Sequence, residues 1–399
     1  MSAPAQAGPF TATRLLPLVQ GLMDQYLTDL ADLVSIDSGS YSRDGVNRVA
    51  DWVEGRLDGL GFEIQRVSAG AAHPQIGDAV IARRTGRLPD GRKILLAGHM
   101  DTVFDDGTAA VRPFRTDGTL AHGPGVSDDK GGLLAGVTAL EVLLRAGWED
   151  FGEIVLLATP DEEIGSPASR PVTEAVASGM DYALALECAR ENGDLVVERK
   201  GVADFALTVT GRAAHAGIEP ERGANAALAA AHLIVELQAL NDRWEGVTVN
   251  VGVVRAGTRA NIICPEAELR VEVRATTTDG LHHVAEAIRG LARQSVVPGT
   301  TTAVEQLDLC LPMEYGAAAR SMYDVARAAA AELGLDLGGA STGGVGDANL
   351  IAGVGVPTLD GLGPVGGADH SPQEWLDTST VPSRIAVLAA TIATLAHQR

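Results

Sequence analysis

Lys93-Ile94-Leu95-Leu96-Ala97-Gly98-His99-Met100-Asp101 holds an apolar run, opened by one lysine, that leads into an imidazole and a carboxylate. Such a run, too short for a helix, reads as a strand buried on both faces, and its carboxyl end is where open α/β sheets bind ligands. Taken alone, His99 and Asp101 are two polar residues after a strand. The pattern recurs, however: Asp161, Glu162 and Glu163 follow the apolar run Glu153 to Ala158, and Glu187 follows Tyr182 to Leu186. Three strands therefore deliver imidazole and carboxylates to one sheet edge. Like charges gathered there repel one another unless protons or cations neutralise them, and imidazole with carboxylate is a ligand set that zinc accepts.

Outward from these strands the α/β pattern continues. Met23, Tyr26, Leu27, Leu30, Leu33 and Val34 recur at helical spacing, as do Val49, Trp52, Val53, Leu57 and Leu60 before a capping Gly61. Helical stretches Gly131 to Leu144 and Ser169 to Ser178 alternate with the strands. After Lys200 the style changes. Strand (Asp204 to Thr210), helix (Asn225 to Leu240), strand (Val247 to Arg255), strand (Glu268 to Arg274), helix (His282 to Arg293) and strand (Thr301 to Gln306) follow in the order of a ferredoxin-like unit. An inserted domain over residues 201–311 is expected, with residues 1–200 and 312–399 forming the two parts of the other domain.

Composition narrows the function. Of 399 residues, 46% are hydrophobic and 21% charged, the profile of a packed globular protein. The net charge of −21 repels nucleic acid and anionic membrane. The longest apolar runs, Ala226 to Leu233 and Ile385 to Leu395, fall short of the roughly 18 residues that a membrane helix needs. Met1 to Phe10 has no basic leader region, and Leu15 to Met23 is interrupted by Pro17, Gln20 and Gly21, so a cytoplasmic protein is expected. Cys188, Cys264 and Cys310 are an odd, widely spaced set that fits core thiols in a reducing compartment.

Between the first two strands lies Gly123-Pro124-Gly125-Val126-Ser127-Asp128-Asp129-Lys130-Gly131-Gly132, a glycine-rich turn opening a helix. It lacks the Gly-Lys-Ser/Thr ending of a phosphate loop, and its paired aspartates suit a cation. Gly361, Gly363 and Gly366 match a dinucleotide fingerprint, but Ala368-Asp369-His370-Ser371-Pro372 follows in place of a helix, which excludes that reading and leaves His370 as the informative residue. His122 is either a neighbour of the metal site or a loop residue.

Together, His99-x-Asp101, the Asp128-Asp129-Lys130-Gly131-Gly132 turn, Asp161-Glu162-Glu163, Glu187 and the late His370 resemble the M20 family of dinuclear zinc metallopeptidases, and within it the glutamate carboxypeptidase branch. Further matches are Gly165-Ser166, Ser169-Arg170, His215-Ala216-Gly217 and Asn261-Ile262-Ile263, so that the resemblance runs from about residue 20 to the end. It implies an α/β fold, a mixed-sheet, phosphorylase/hydrolase-like zinc-peptidase domain carrying the ferredoxin-like insertion as a lid and dimerisation domain. It also implies two zinc ions, with cobalt and manganese left open. Asp128 would bridge them, Glu163 and His370 completing one site and His99 and Glu187 the other. Glu162 would be the general base, Asp101 would fix the tautomer of His99, and the Asp128–Asp129 peptide would be cis. His215 would stabilise an oxyanion across a homodimer, and Asn261 and Arg274 would meet the substrate.

The chain departs from the branch in one respect: Glu305 to Pro312 contains no basic residue where the branch is arginine-rich. The implied activity is release of a C-terminal amino acid, with glutamate in question, from a peptide or N-acyl conjugate. An N-acyl-amino-acid deacylase or dipeptidase is the alternative, and a non-catalytic peptide-binding module a third, disfavoured because binding needs no general base. A serine hydrolase is disfavoured because no Gly-x-Ser-x-Gly accompanies these acids.

Overall fold

After its exposed first residue, Lys93–His99 is buried at every position, as a strand covered on both faces must be. The computed structural model describes residues 10–241 and 243–398; most of the Met1 to Phe10 leader reading thus lies outside the described residues. Helices α1 (Ala12–Gln20), α2 (Met23–Val34) and α3 (Arg43–Gly59) precede β1 (Glu63–Val67), β2 (Ala79–Thr85) and β3 (Lys93–His99). Then come α4 (Thr108–Val111), β4 (Arg115–Asp117), β5 (Leu120–His122), α5 (Lys130–Arg145), β6 (Glu153–Thr159), α6 (Arg170–Ala177), β7 (Tyr182–Ala185) and β8 (Leu195–Arg199). Next are β9 (Gly201–Thr210), α7 (Ala226–Gln238), β10 (Thr248–Ala256), β11 (Glu266–Ala275), α8 (Thr278–Ala292) and β12 (Thr301–Cys310). The last are α9 (Ala317–Ala331), β13 (Gly339–Thr342), α10 (Asp347–Gly353), β14 (Thr358–Leu359), β15 (Gly366–Gly367), β16 (Trp375–Asp377) and α11 (Val381–Leu395).

The chain divides into two compact units, one of residues 10–197, 315–341 and 346–398, the other of residues 198–314 and 342–345. In the first, a mixed sheet runs β1-β2-β6-β3-β7-β14. Strand β3 pairs in parallel with β6 and β7, and β14 in parallel with β7, while β2 is antiparallel to β1 and β6. The register sets His99 opposite Thr159 and Ala97 opposite Ala185, so β3, β6 and β7 end at the same edge. Behind that edge, α5 is buried over its whole length from Lys130 to Leu143. Glycine makes this possible: a Cβ on Gly132 would lie 1.9 Å from the Leu186 carbonyl oxygen, and one on Gly136 2.5 Å from a Leu186 methyl. Gly132 and Gly136 thus let α5 rest on the end of β7, which puts Asp128 at the sheet edge. A four-stranded antiparallel sheet, β15-β16-β5-β4, supports the turn that carries His370.

Helix α1 was not anticipated, because Pro17 falls inside it. The amide hydrogen that Pro17 lacks would have met a carbonyl in the first turn of this short helix, and its apolar face, Ala12, Leu15 and Val19, is fully buried.

The second unit has strand order β10-β11-β9-β12, all antiparallel, with α7 following β9 and α8 following β11. This is the ferredoxin-like arrangement. Phe205, Leu207, Val209, Val271, Val273, Leu237 and Ile288 share its core. No helix among the described residues is long and apolar enough to cross a membrane.

Candidate metal centre

His99, the last residue of β3, is buried, and its Nε2 lies 2.9 Å from Asp128 Oδ1 and 3.6 Å from Glu187 Oε1. His370 Nε2 lies 3.1 Å from Asp128 Oδ2 and 3.0 Å from Glu163 Oε2. Each oxygen of Asp128 thus faces a different imidazole, and each imidazole faces a second carboxylate. His99, Asp128 and Glu163 offer ligand atoms within 4.8 Å of one another, and so do His99, Glu162 and Glu187. His99 Nδ1 is 3.0 Å from the Asp101 backbone carbonyl and 3.3 Å from its Oδ1. A carbonyl oxygen only accepts, so Nδ1 carries hydrogen and Nε2 is the atom turned to the carboxylates.

Asp101 also anchors the neighbouring turn. Its Oδ1 accepts the Glu162 amide at 3.1 Å, and its Oδ2 accepts the Glu163 amide at 3.2 Å and the Ser40 hydroxyl at 2.7 Å. The Asp128–Asp129 peptide is cis, and Asp129 Oδ2 accepts the His99 amide at 3.3 Å. Ser166, Ala368 and His370, all in loops at this edge, have left-handed backbones, a cost of the kind that collects at functional sites.

Sequence reasoning missed two supports. Glu374, 1% exposed, accepts the amides of Gly125 at 2.9 Å, Ser127 at 2.9 Å and Asp128 at 3.1 Å, and so shapes the turn that presents Asp128. Asp347, at the start of α10, accepts the hydroxyls of Thr159 at 2.5 Å and Ser166 at 2.8 Å, joining β6 to the loop after Glu163. His122 is a residue of β5 whose Nδ1 meets the Glu374 carbonyl at 3.0 Å. Cys188, Cys264 and Cys310 form no disulfide among the described residues, and the last two are buried.

The cluster's own charges are poorly balanced. Burial pushes Glu162 well above the usual carboxylate range, with His99 opposing and Glu187, Asp347 and Asp128 adding to the rise. Burial and the Asp128 charge push Glu163 up to about 7. Asp128 falls below the usual range, since hydrogen bonds from His370 and His99 overcome its burial. The Asp128 hydrogen bond lifts His370 to about 9 against its partial burial. Negative charge thus exceeds what the two imidazoles offset, and divalent cations are the compensation that a mixed imidazole and carboxylate set is built to accept.

Residues 95–394 match the model of Peptidase family M20/M25/M40. The chain belongs to this family. This M20 peptidase is therefore a metal-dependent hydrolase of peptide or amide bonds, and its family implies a dinuclear metal site, which the shared Asp128 fits. It is 33% identical over 367 residues to carboxypeptidase G2 of Pseudomonas sp. (strain RS-16), spanning 91% of this chain and 87% of that one. Its fold is similar to aminopeptidase PepT of Bacillus cereus, with a TM-score of 0.78, 22% identity, and coverage of 94% of this chain and 99% of that chain. Human carnosine dipeptidase 1 is similar in fold with a TM-score of 0.64 and 15% identity, covering 97% of this chain and 99% of that chain.

The other expected site residues lie in the second unit of the M20 peptidase. The Ala216 amide donates to the Asn261 carbonyl at 3.0 Å, so exposed His215 and exposed Asn261 share one loop pair. Arg274 is engaged on three sides: Nε and Nη2 donate to Glu272 at 2.8 and 3.2 Å, and Nη1 to the Gly343 carbonyl at 2.5 Å.

Proposed function

We propose that this M20 peptidase releases a C-terminal amino acid from a peptide or N-acyl conjugate with two zinc ions, which Asp128 would share, Glu163 and His370 would help to hold on one side, and His99 and Glu187 on the other. The observation that carries this reading is the pair of imidazoles on opposite oxygens of Asp128. When bound, the two cations supply Lewis acidity and make water a stronger acid. Glu162, half-buried beside the cluster and with its carboxyl pushed above the usual range, takes a proton from the attacking water and passes it to the leaving nitrogen. Asp101 holds His99 in the ligating tautomer and fixes the backbone from which Glu162 projects.

His215 is assigned to oxyanion stabilisation and Asn261 to substrate contact, in a cytoplasmic homodimer formed through the second unit; the two residue assignments rest on the match of His215-Ala216-Gly217 and Asn261-Ile262-Ile263 to the family's pattern. A second reading, a deacylase or dipeptidase not tied to glutamate, is favoured by the engagement of Arg274 with Glu272 and by the lack of any base in residues 305–312.

Glu162→Gln tests the reading. The variant is expected to bind two metal equivalents as the parent does and to lose most amine release from N-acyl amino acids, roughly 100-fold or more. Unchanged turnover would sink the assignment of the base.

A further inference from the structure

Two cavities flank the metal cluster within the first unit, and their chemistry differs. One, of about 590 Å³, borders Glu163 and is lined by Tyr41, Val103, Phe104, Asp105 and Asp106 among others, with no cation in its wall. The other, of about 510 Å³, is built from the segment after Glu187 and the segment before His370, so both its walls continue directly from metal-ligand positions. Cys188, Arg190 and Glu191 stand on one wall, and Gly367 and Asp369 on the other.

Arg190 is exposed, and among the described residues its guanidinium has no hydrogen bond or ion pair. Its backbone is held instead: the amide donates to the Asp194 carbonyl at 3.0 Å, and the carbonyl accepts from Gly193 at 2.7 Å. Two acids share this cavity, and neither forms an ion pair with Arg190. Asp369 accepts from Cys188 Sγ at 3.5 Å, and Glu191 lies over Gly367, where an added Cβ would come within 2.8 Å of its Oε1. The other cations of this unit near the ligand loops are committed. Lys130 donates to the Ile36 carbonyl at 2.7 Å, Arg112 donates to the Ser371 carbonyl at 3.3 Å and stacks on Phe104, and Arg384 is buried on three carbonyls. In a chain of net charge −21, a substrate carboxylate needs a local cation to offset long-range repulsion. A guanidinium offers it a planar fork.

We infer that Arg190 binds a carboxylate of the amino acid to be released, seating it in the cavity between the Glu187 and His370 loops and leaving the acyl part for the aromatic, acidic cavity beside Glu163. This rests on the proposed release of a C-terminal amino acid. It makes Arg190 the determinant of substrate polarity across the cluster.

The test compares wild type, Arg190→Gln and Arg190→Lys on N-acetyl amino acids, including N-acetyl-L-glutamate and N-acetyl-L-leucine, and on their α-carboxamides. For Arg190→Gln, KM for the acids is expected to rise roughly 10- to 100-fold, the value of a charged hydrogen-bonded pair, with kcat and all carboxamide constants little changed and Arg190→Lys intermediate. Equal effects on acids and carboxamides, or none on either, would overturn the assignment. If wild type releases no amine from any acid, the proposed function fails, and Arg190 is judged by calorimetric binding of the same compounds. Weakening confined to the acids upholds its role, and equal binding by wild type and Arg190→Gln ends it.

Discussion

A single added methyl at Gly132 separates two physical effects of opposite sign. In a helix, Ala is favoured over Gly by about 1 kcal/mol, so propensity alone predicts that Gly132→Ala stabilises the protein. The structure predicts the reverse. The new Cβ would stand 1.9 Å from the Leu186 carbonyl oxygen and 2.1 Å from Asp129 Oδ1, where ordinary contact begins near 3.4 Å. The Leu186 oxygen belongs to the backbone and cannot swing aside as a side chain can, so the start of α5 must retreat from the end of β7 by about 1.5 Å. Leu186 precedes Glu187 and Asp129 follows Asp128, so the retreat separates the two carboxylates that face His99. Overpacking of this kind costs about 1–3 kcal/mol, and a misplacement near 1 Å lowers turnover roughly 100-fold. Gly55→Ala in α3 is the control, because its Cβ meets nothing within 4 Å and only propensity acts. Thermal unfolding, metal content and amine release would be measured for both variants. Gly132→Ala matching Gly55→Ala in stability, with wild-type turnover, would refute the steric account.

Arg384→Met removes the guanidinium that bridges Gly193, Gly361 and Gly363, leaving three carbonyls short of a donor, two of them in buried contacts. Denaturant unfolding is expected to show a loss of about 3–5 kcal/mol, and a loss under 1 kcal/mol would mean that water replaces the side chain freely. In chelator-treated protein, stability is expected to fall as pH rises from about 4.5 to 7. Glu163 and Glu374 are both pushed up to about 7, chiefly by burial. Over that window the folded chain binds more protons than the unfolded chain, so each group contributes a negative slope of up to about 1.4 kcal/mol per pH unit. Saturating zinc should remove the Glu163 part, and a flat or rising stability profile without metal would contradict the shifts.

The sequence made the cluster legible because each of His99, Glu163 and Glu187 follows a run of buried apolar residues, a pattern that marks both a strand and where it ends. Strand β2 was not legible, because it contains Arg83 and Arg84. These lie at its less buried end, where Arg84 reaches the Leu60 carbonyl at 2.7 Å and Arg83 lies 3.5 Å from Glu153. Strands of two or three residues, such as β5, β15 and β16, are too short to show any period. Glu374 and Asp347 escaped for another reason: their partners are backbone amides and hydroxyls distant in sequence, and no residue type announces them. The engagement of Arg274 was readable in part, since Glu272 is two residues away on the same strand face.

The long separation between Glu374 and the amides it accepts also bears on how the protein comes into being. As synthesis proceeds, a ribosome that has reached residue 314 has already made His99, Asp128, Glu163 and Glu187, together with the segment that supplies the core of the second unit. It has made neither His370 nor Glu374, nor strand β14 that lies against β7, nor helix α11 that packs on α1 and α5. The inserted segment can therefore collapse early while the catalytic edge waits, its aspartate turn without a brace and one metal half-site without its imidazole. On the proposed ligand set, metal capture is in this way tied to completion of the chain: an interrupted polypeptide lacks His370, and only a finished one closes the cluster around Asp128.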